Sequence, residues 1–122
     1  MSEGRLLVEK RGAVGWLIFD NPAKRNALNA AMWRGIPDAM AKFETDPEVR
    51  CVVLRGSGTK AFTAGADISD FDRIRAELPT GKYDSFLDQV LDAIQGSSKP
   101  SIAMIHGFCF GGGLELGVRL DH

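Results

Sequence analysis

The apolar positions of this chain change their spacing repeatedly, and each spacing predicts a kind of element. Leu6-Leu7-Val8 and Val14-Gly15-Trp16-Leu17-Ile18-Phe19 are apolar runs bounded by Gly12 and by Asp20-Asn21-Pro22, so two paired strands in a hairpin are expected. Beyond the Pro22-Ala23-Lys24-Arg25 loop, Trp33, Ile36, Met40 and Phe43 recur at helical intervals, and Asn29 stands where an N-cap belongs. Gly35 and Pro37 oppose that helix, because an interior proline removes a hydrogen bond and costs about 3 kcal/mol. A kink or a late start near Pro37 is the expectation.

Cys51-Val52-Val53-Leu54 is a short continuous apolar run of the kind found in a strand covered on both faces, followed by an Arg55-Gly56-Ser57-Gly58-Thr59 loop. A short helix is read over 68–76. A better one over 83–94 carries Phe86, Val90, Leu91 and Ile94 on one face and stops at Ser97-Ser98-Lys99-Pro100. Ser101-Ile102-Ala103-Met104-Ile105 is a second buried-strand candidate, and a glycine-rich stretch from Gly107 to Gly113 leads into a helix beginning near Gly112. Strands alternating with helices place the chain in the α/β class, read as a single domain over 1–122.

Composition narrows the function classes. Of 122 residues, 44% are apolar and 25% charged, the make-up of a globular domain. Fifteen basic and sixteen acidic side chains leave a net charge of −1, so no overall field draws the protein to nucleic acid or to an anionic membrane, and an anionic ligand must be held locally. The charged start of the chain has neither a signal peptide's apolar core nor a membrane-spanning run, which points to the cytoplasm. Cys51 and Cys109, each inside an apolar stretch, read as buried thiols rather than a disulfide.

The most informative stretch is Gly111-Gly112-Gly113-Leu114-Glu115, which follows a buried strand and opens a helix. Consecutive glycines are entropically expensive, and they allow backbone to come close to a ligand. A helix amino terminus presents unpaired N–H groups with partial positive charge, so Gly112 is a candidate oxyanion donor. Glu115, about one turn on, can project its carboxylate on the same side. Taken alone, the stretch reads equally as a tight strand-to-helix turn with a solvated glutamate. Lys60-Ala61-Phe62-Thr63-Ala64-Gly65-Ala66-Asp67-Ile68 holds a second row of small residues whose backbone N–H groups can face a ligand, and alone it is only a flexible loop.

Together, in this order and at this separation, the two stretches resemble the paired signatures of the crotonase (enoyl-CoA hydratase/isomerase) family, A-G-A-D-[IL] and G-G-G-x-E. Asn21-Pro22-Ala23-Lys24-Arg25-Asn26-Ala27-Leu28 is similar to the family's N-P-x-x-x-N-A-[LM] loop. The resemblance implies the amino-terminal part of a crotonase-like ββα superhelix, in a chain about half the length of family members. It implies that the backbone N–H groups of Ala66 and Gly112 grip a thioester carbonyl, and that Glu115 corresponds to the first of the hydratases' two catalytic glutamates. Hydration of a 2-enoyl-CoA by the full-length parent is the expectation; the alternatives are another reaction of the family (isomerisation, dehalogenation, decarboxylation or thioester hydrolysis) and a non-catalytic fragment that binds coenzyme A or a partner. Ala64, Asp67 and Ile68 fall where family members hold the adenine end and pantetheine arm of coenzyme A. Lys24 and Arg25 fall near its phosphates, and Ala27 and Gly111 are assigned to the same ligand. Coenzyme A enters as part of an acyl-CoA substrate, so no separate cofactor is expected. A homo-oligomer, a trimer or a dimer of trimers, is implied for the full-length form. The second carboxylate is expected in a second half that this chain lacks.

Other signals carry less. Gly56-Ser57-Gly58-Thr59-Lys60-Ala61 fits the weak form of a dinucleotide fingerprint, but Phe62-Thr63-Ala64-Gly65 is a poor helix start. His106 and Cys109 are read as core or turn residues rather than a thiol–imidazole pair, and no metal site is expected. No nucleophile elbow, P-loop or zinc-protease motif occurs.

Overall fold

The computed structural model of the protein describes residues 4–63, 82–105, 108 and 109, with the backbone alone at 82–87, 108 and 109. Strands β1 (Arg5–Arg11) and β2 (Val14–Asp20) form the expected antiparallel hairpin, with Arg11 opposite Val14. Gly12 turns the chain at φ 59°, a left-handed conformation that glycine adopts without steric penalty. Val14–Asp20 then runs parallel to β3 (Cys51–Gly56), with Leu17 beside Leu54, and β3 runs parallel to β5 (Ser101–Met104), with Val53 beside Ile102. The resulting sheet has the order β1-β2-β3-β5.

Helix α1 (Ala30–Glu44) lies against this sheet. It starts where the sequence places its cap, since the Asn29 side chain accepts the Met32 N–H at 2.9 Å. The late start expected near Pro37 is not observed, and the helix is continuous with Pro37 inside it. The reason is quantitative. Trp33, Ile36, Met40 and Phe43 are all buried, and each large apolar side chain removed from water contributes about 1.5–3 kcal/mol, so together they exceed the proline penalty of about 3 kcal/mol. Helix α2 (Lys82–Gln95) packs on α1 and sends Val90 and Ile94 into the same core as Leu17, Phe19, Leu28, Met32, Val52, Leu54 and Phe62.

A second, two-stranded sheet pairs β4 (Ala61–Thr63) with β6 (Phe108–Cys109) in parallel. The path β3, β4, α2, β5, β6 is therefore one complete turn of a coil: each strand meets its successor from the next turn, β3 beside β5 and β4 beside β6. This is the α/β, ββα arrangement that the resemblance implies.

Three strand expectations are corrected. Arg55 and Gly56, read as loop, continue β3, because pairing with Ile18 and Phe19 of β2 extends that far. The run Ser101–Ile105 is not covered throughout: Met104 and Ile105 are 47% and 49% exposed, and among the described residues β5 has a neighbour on one side only. Cys51 is a free thiol but only half-buried, since it opens β3 at the rim of the sheet. The 68–76 helix and the side chains of Phe86 and Cys109 lie outside the described residues.

Candidate functional site

The parallel β4–β6 pair decides where the two signature stretches leave the framework. Ala61 is in register with Phe108 and Thr63 with Cys109, with an irregularity between them. Phe62 is fully buried and meets Phe19 edge-to-face, ring centroids 5.5 Å apart. Because parallel strands end on the same side, the chain leaves β4 into Ala64-Gly65-Ala66-Asp67-Ile68 and leaves β6 into Phe110-Gly111-Gly112-Gly113-Leu114-Glu115 from one edge of one sheet. The carboxyl ends of parallel strands are where α/β folds place ligands. Ala64, Ala66, Asp67, Ile68, Gly111, Gly112 and Glu115 themselves lie outside the described residues.

The third stretch is described in full. Pro22–Lys24 forms one 3₁₀ turn, and Arg25 and Asn26 follow in the left-handed region, at φ 51° and 59°. Asparagine tolerates this conformation through its short polar side chain, whereas at Arg25 it costs about 1–2 kcal/mol. Lys24 and Arg25 are exposed, as cations that meet a soluble anion must be, while Ala27 is buried and its carbonyl accepts the Asn21 amide at 2.9 Å.

What holds the strained turn is Asn26, which is 1% exposed. Its Oδ1 accepts the Asn21 N–H at 3.0 Å, and its Nδ2 donates to the carbonyls of Ser57 at 3.0 Å and Ala61 at 2.9 Å. Its own carbonyl accepts the Thr63 hydroxyl at 2.6 Å. One side chain and one carbonyl thus tie the loop at 21–28 to both ends of β4. Gly56 makes the approach possible: a Cβ there would stand 2.1 Å from the Ala61 carbonyl oxygen and 2.6 Å from Asn26 Nδ2. The sequence had placed Asn26 inside a motif without giving it, Thr63 or Gly56 a task. The available signal was the pair of asparagines bracketing a proline turn, since asparagine satisfies local backbone groups and accepts φ > 0. The same geometry disposes of the dinucleotide fingerprint, because Gly56 and the turn after it lead into a strand, not a helix.

The other polar feature lies elsewhere. An open depression of about 460 Å³, lined by Glu44, Arg50, Ser98 and Lys99 among others, sits at the amino ends of β3 and β5, the opposite end of the sheet from Gly56. Among the described residues no cluster of His, Cys, Asp or Glu could hold a metal ion, and no helix is long and apolar enough to cross a membrane.

Comparison with known proteins agrees with this architecture. The family described as enoyl-CoA hydratase/isomerase matches residues 9–122. A probable enoyl-CoA hydratase of Rhizobium meliloti is 39% identical over 99% of this chain and 46% of its own length. The mitochondrial 3-hydroxyisobutyryl-CoA hydrolase of Rattus norvegicus is 35% identical over 93% of this chain and 30% of its own. Among solved structures, an enoyl-CoA hydratase/carnithine racemase from Magnetospirillum magneticum superposes with a TM-score of 0.87 and 40% identity, over 98% of this chain and 45% of that one. The chain spans less than half the length of these relatives, yet the match runs through all three signature stretches and the coil that joins them: it belongs to the enoyl-CoA hydratase/isomerase family.

Proposed function

We propose that the protein binds an acyl-CoA thioester, stabilises the enolate formed from it, and adds water to a 2-enoyl-CoA, the hydroxyl going to C3 and a proton to C2. The observation that carries this reading is the register of β4 and β6. Thr63 and Cys109 are partners, and Ala66 and Gly112 each stand three residues beyond them. Paired strands lie about 4.8 Å apart, and three residues reach at most about 11 Å, so both donors start from adjacent points with equal lengths of chain. Two backbone N–H groups converging on one carbonyl oxygen is what an enolate requires, and one such donor typically lowers the barrier by about 3 to 4 kcal/mol. Glu115, three residues after Gly112, is the acid-base group that delivers or removes the proton.

Lys24 and Arg25 supply the local positive charge for the phosphates of coenzyme A in a chain without a net positive field. Ala27, Ala64, Asp67, Ile68 and Gly111 complete the binding surface. We place the protein in the cytoplasm, as a homo-oligomer of the trimeric kind, and only the oligomer is supported by family resemblance. A second reaction, hydrolysis of the thioester, is favoured by the rat hydrolase, whose identity to this chain nearly equals that of the hydratase.

Incubation with crotonyl-CoA separates the two. Hydration removes the conjugated double bond and leaves the thioester intact, whereas hydrolysis releases a free thiol. Glu115→Gln should reduce water addition by about 100-fold or more, within the range general acid–base groups contribute. Turnover unchanged in that variant would sink the assignment of Glu115.

A further inference from the structure

We propose that Asn26 and Thr63 are positioning residues for the oxyanion-donor loop, setting the direction in which the chain leaves β4 toward Ala66. The proposal rests on the acyl-CoA reading above and adds to it a mechanism by which the 21–28 loop controls the chemistry rather than only the binding of coenzyme A.

Asn26 makes three side-chain bonds: Oδ1 takes the Asn21 N–H, and the two Nδ2 hydrogens go to Ser57 and Ala61. Those two carbonyls flank the turn between β3 and β4, so the amide fixes the point at which β4 begins. The far end of β4 is fixed separately, by the bond from the Thr63 hydroxyl to the Asn26 carbonyl at 2.6 Å. Thr63 is fully buried, and the next residue is the first of the donor stretch. Among the described residues β4 has three residues and its partner β6 two, which is little pairing to resist rotation. The Asn26–Thr63 bond acts on the last described residue before the Ala64–Ala66 stretch. Misplacement of a reacting group by about 1 Å can cost about 100-fold in rate, which is the scale on which such a restraint acts.

The test uses the complete protein and crotonyl-CoA labelled with ¹³C at the thioester carbonyl. Thr63→Val keeps the shape of the side chain and removes its hydroxyl. We expect it to lower kcat by about 10- to 100-fold with KM within about 3-fold, and to weaken the shift of the carbonyl stretch on binding. Thr63→Ser, which restores the hydroxyl, should recover both. Val49→Ala, a core truncation at the far end of the sheet, serves as the comparison: it should lower the melting temperature while leaving kcat and the carbonyl shift unchanged. A folded Thr63→Val protein with wild-type kcat and carbonyl shift overturns the proposal, as does failure of Thr63→Ser to rescue. If the wild-type protein itself neither shifts the carbonyl nor turns over any acyl-CoA, the acyl-CoA reading fails and this inference with it, a result distinct from failure of the variant alone.

Discussion

The two ends of the four-stranded sheet are held by opposite chemistry. At the amino ends of β3 and β5 the restraints are charged and exposed. The Glu44 carboxylate accepts from the Ser97 hydroxyl and from the backbone and hydroxyl of Ser98, Lys10 pairs with Asp46 at 3.0 Å and Glu48 at 2.8 Å, and the Lys99 ammonium donates to the Phe43 carbonyl at the end of α1. At the carboxyl end the buried restraints are neutral, namely the Asn21 and Asn26 amides and the Thr63 hydroxyl, and one exposed ion pair, Arg5 with Asp20 at 3.3 Å, lies beside them. Exposed ion pairs are screened and contribute little. Buried neutral bonds contribute modestly when made and are expensive to break, because the partner left behind has no water. The buried bonds that tie the 21–28 loop to β4 are thus insensitive to pH and salt, and the charged bonds of the other end are not.

The contrast breaks most severely at Gly56. A methyl group in Gly56→Ala would overlap the backbone oxygens of Ala61 and Phe62, at 2.1 and 2.4 Å, and backbone in a paired strand cannot step aside. Urea unfolding should show a loss of at least about 3 kcal/mol, at the upper end of overpacking effects. Asn26→Ala comes next. It strands the Asn21 N–H and two carbonyls in a buried site, and should cost about 2 to 4 kcal/mol. Because no titrating group takes part, that loss should be the same from pH 4 to pH 9.

The smallest effect sits at the charged end and is the one that depends on pH. The Ser98 hydroxyl, then that of Ser97, hold the Glu44 carboxyl below its ordinary value of 4.5, and Lys10 holds Asp46 below 3.8. A group whose pKa is depressed by folding contributes stability that is complete above the unfolded value and disappears as pH falls through the folded one. Lys10 is raised above 10.5, chiefly by Glu48 and then by Asp46, so its share is complete below that value and is lost as pH rises beyond it. Acid titration of unfolding should therefore show a shallow loss of stability below about pH 4.5 that Glu44→Gln makes shallower. A wild-type curve flat down to pH 3 would remove the distinction between the two ends.

Legibility followed the range of the interactions. The hairpin, the Asn29 cap, the apolar stripe of α1 and the limits of α2 were readable to within a residue or two, because each depends on spacing or on a side chain meeting backbone a few residues away. The late start read at Pro37 failed because a local penalty is visible in the sequence, whereas the burial of Trp33 and Ile36 that overrides it is not. Strand β4 and its partner could not be read at all. Two and three described residues have no periodicity, and the strands pair only because residues 46 and 47 positions apart are brought side by side by a turn of the coil. The amino-acid sequence by itself determined the α/β class, the longer elements and the three signature stretches. Only the tertiary structure decided that Thr63 and Cys109 stand in register, so that two of those stretches leave from one edge, and that the third is bonded to that edge through Asn26. Local propensity specifies what a segment becomes, and where segments meet is settled by which buried groups can satisfy one another.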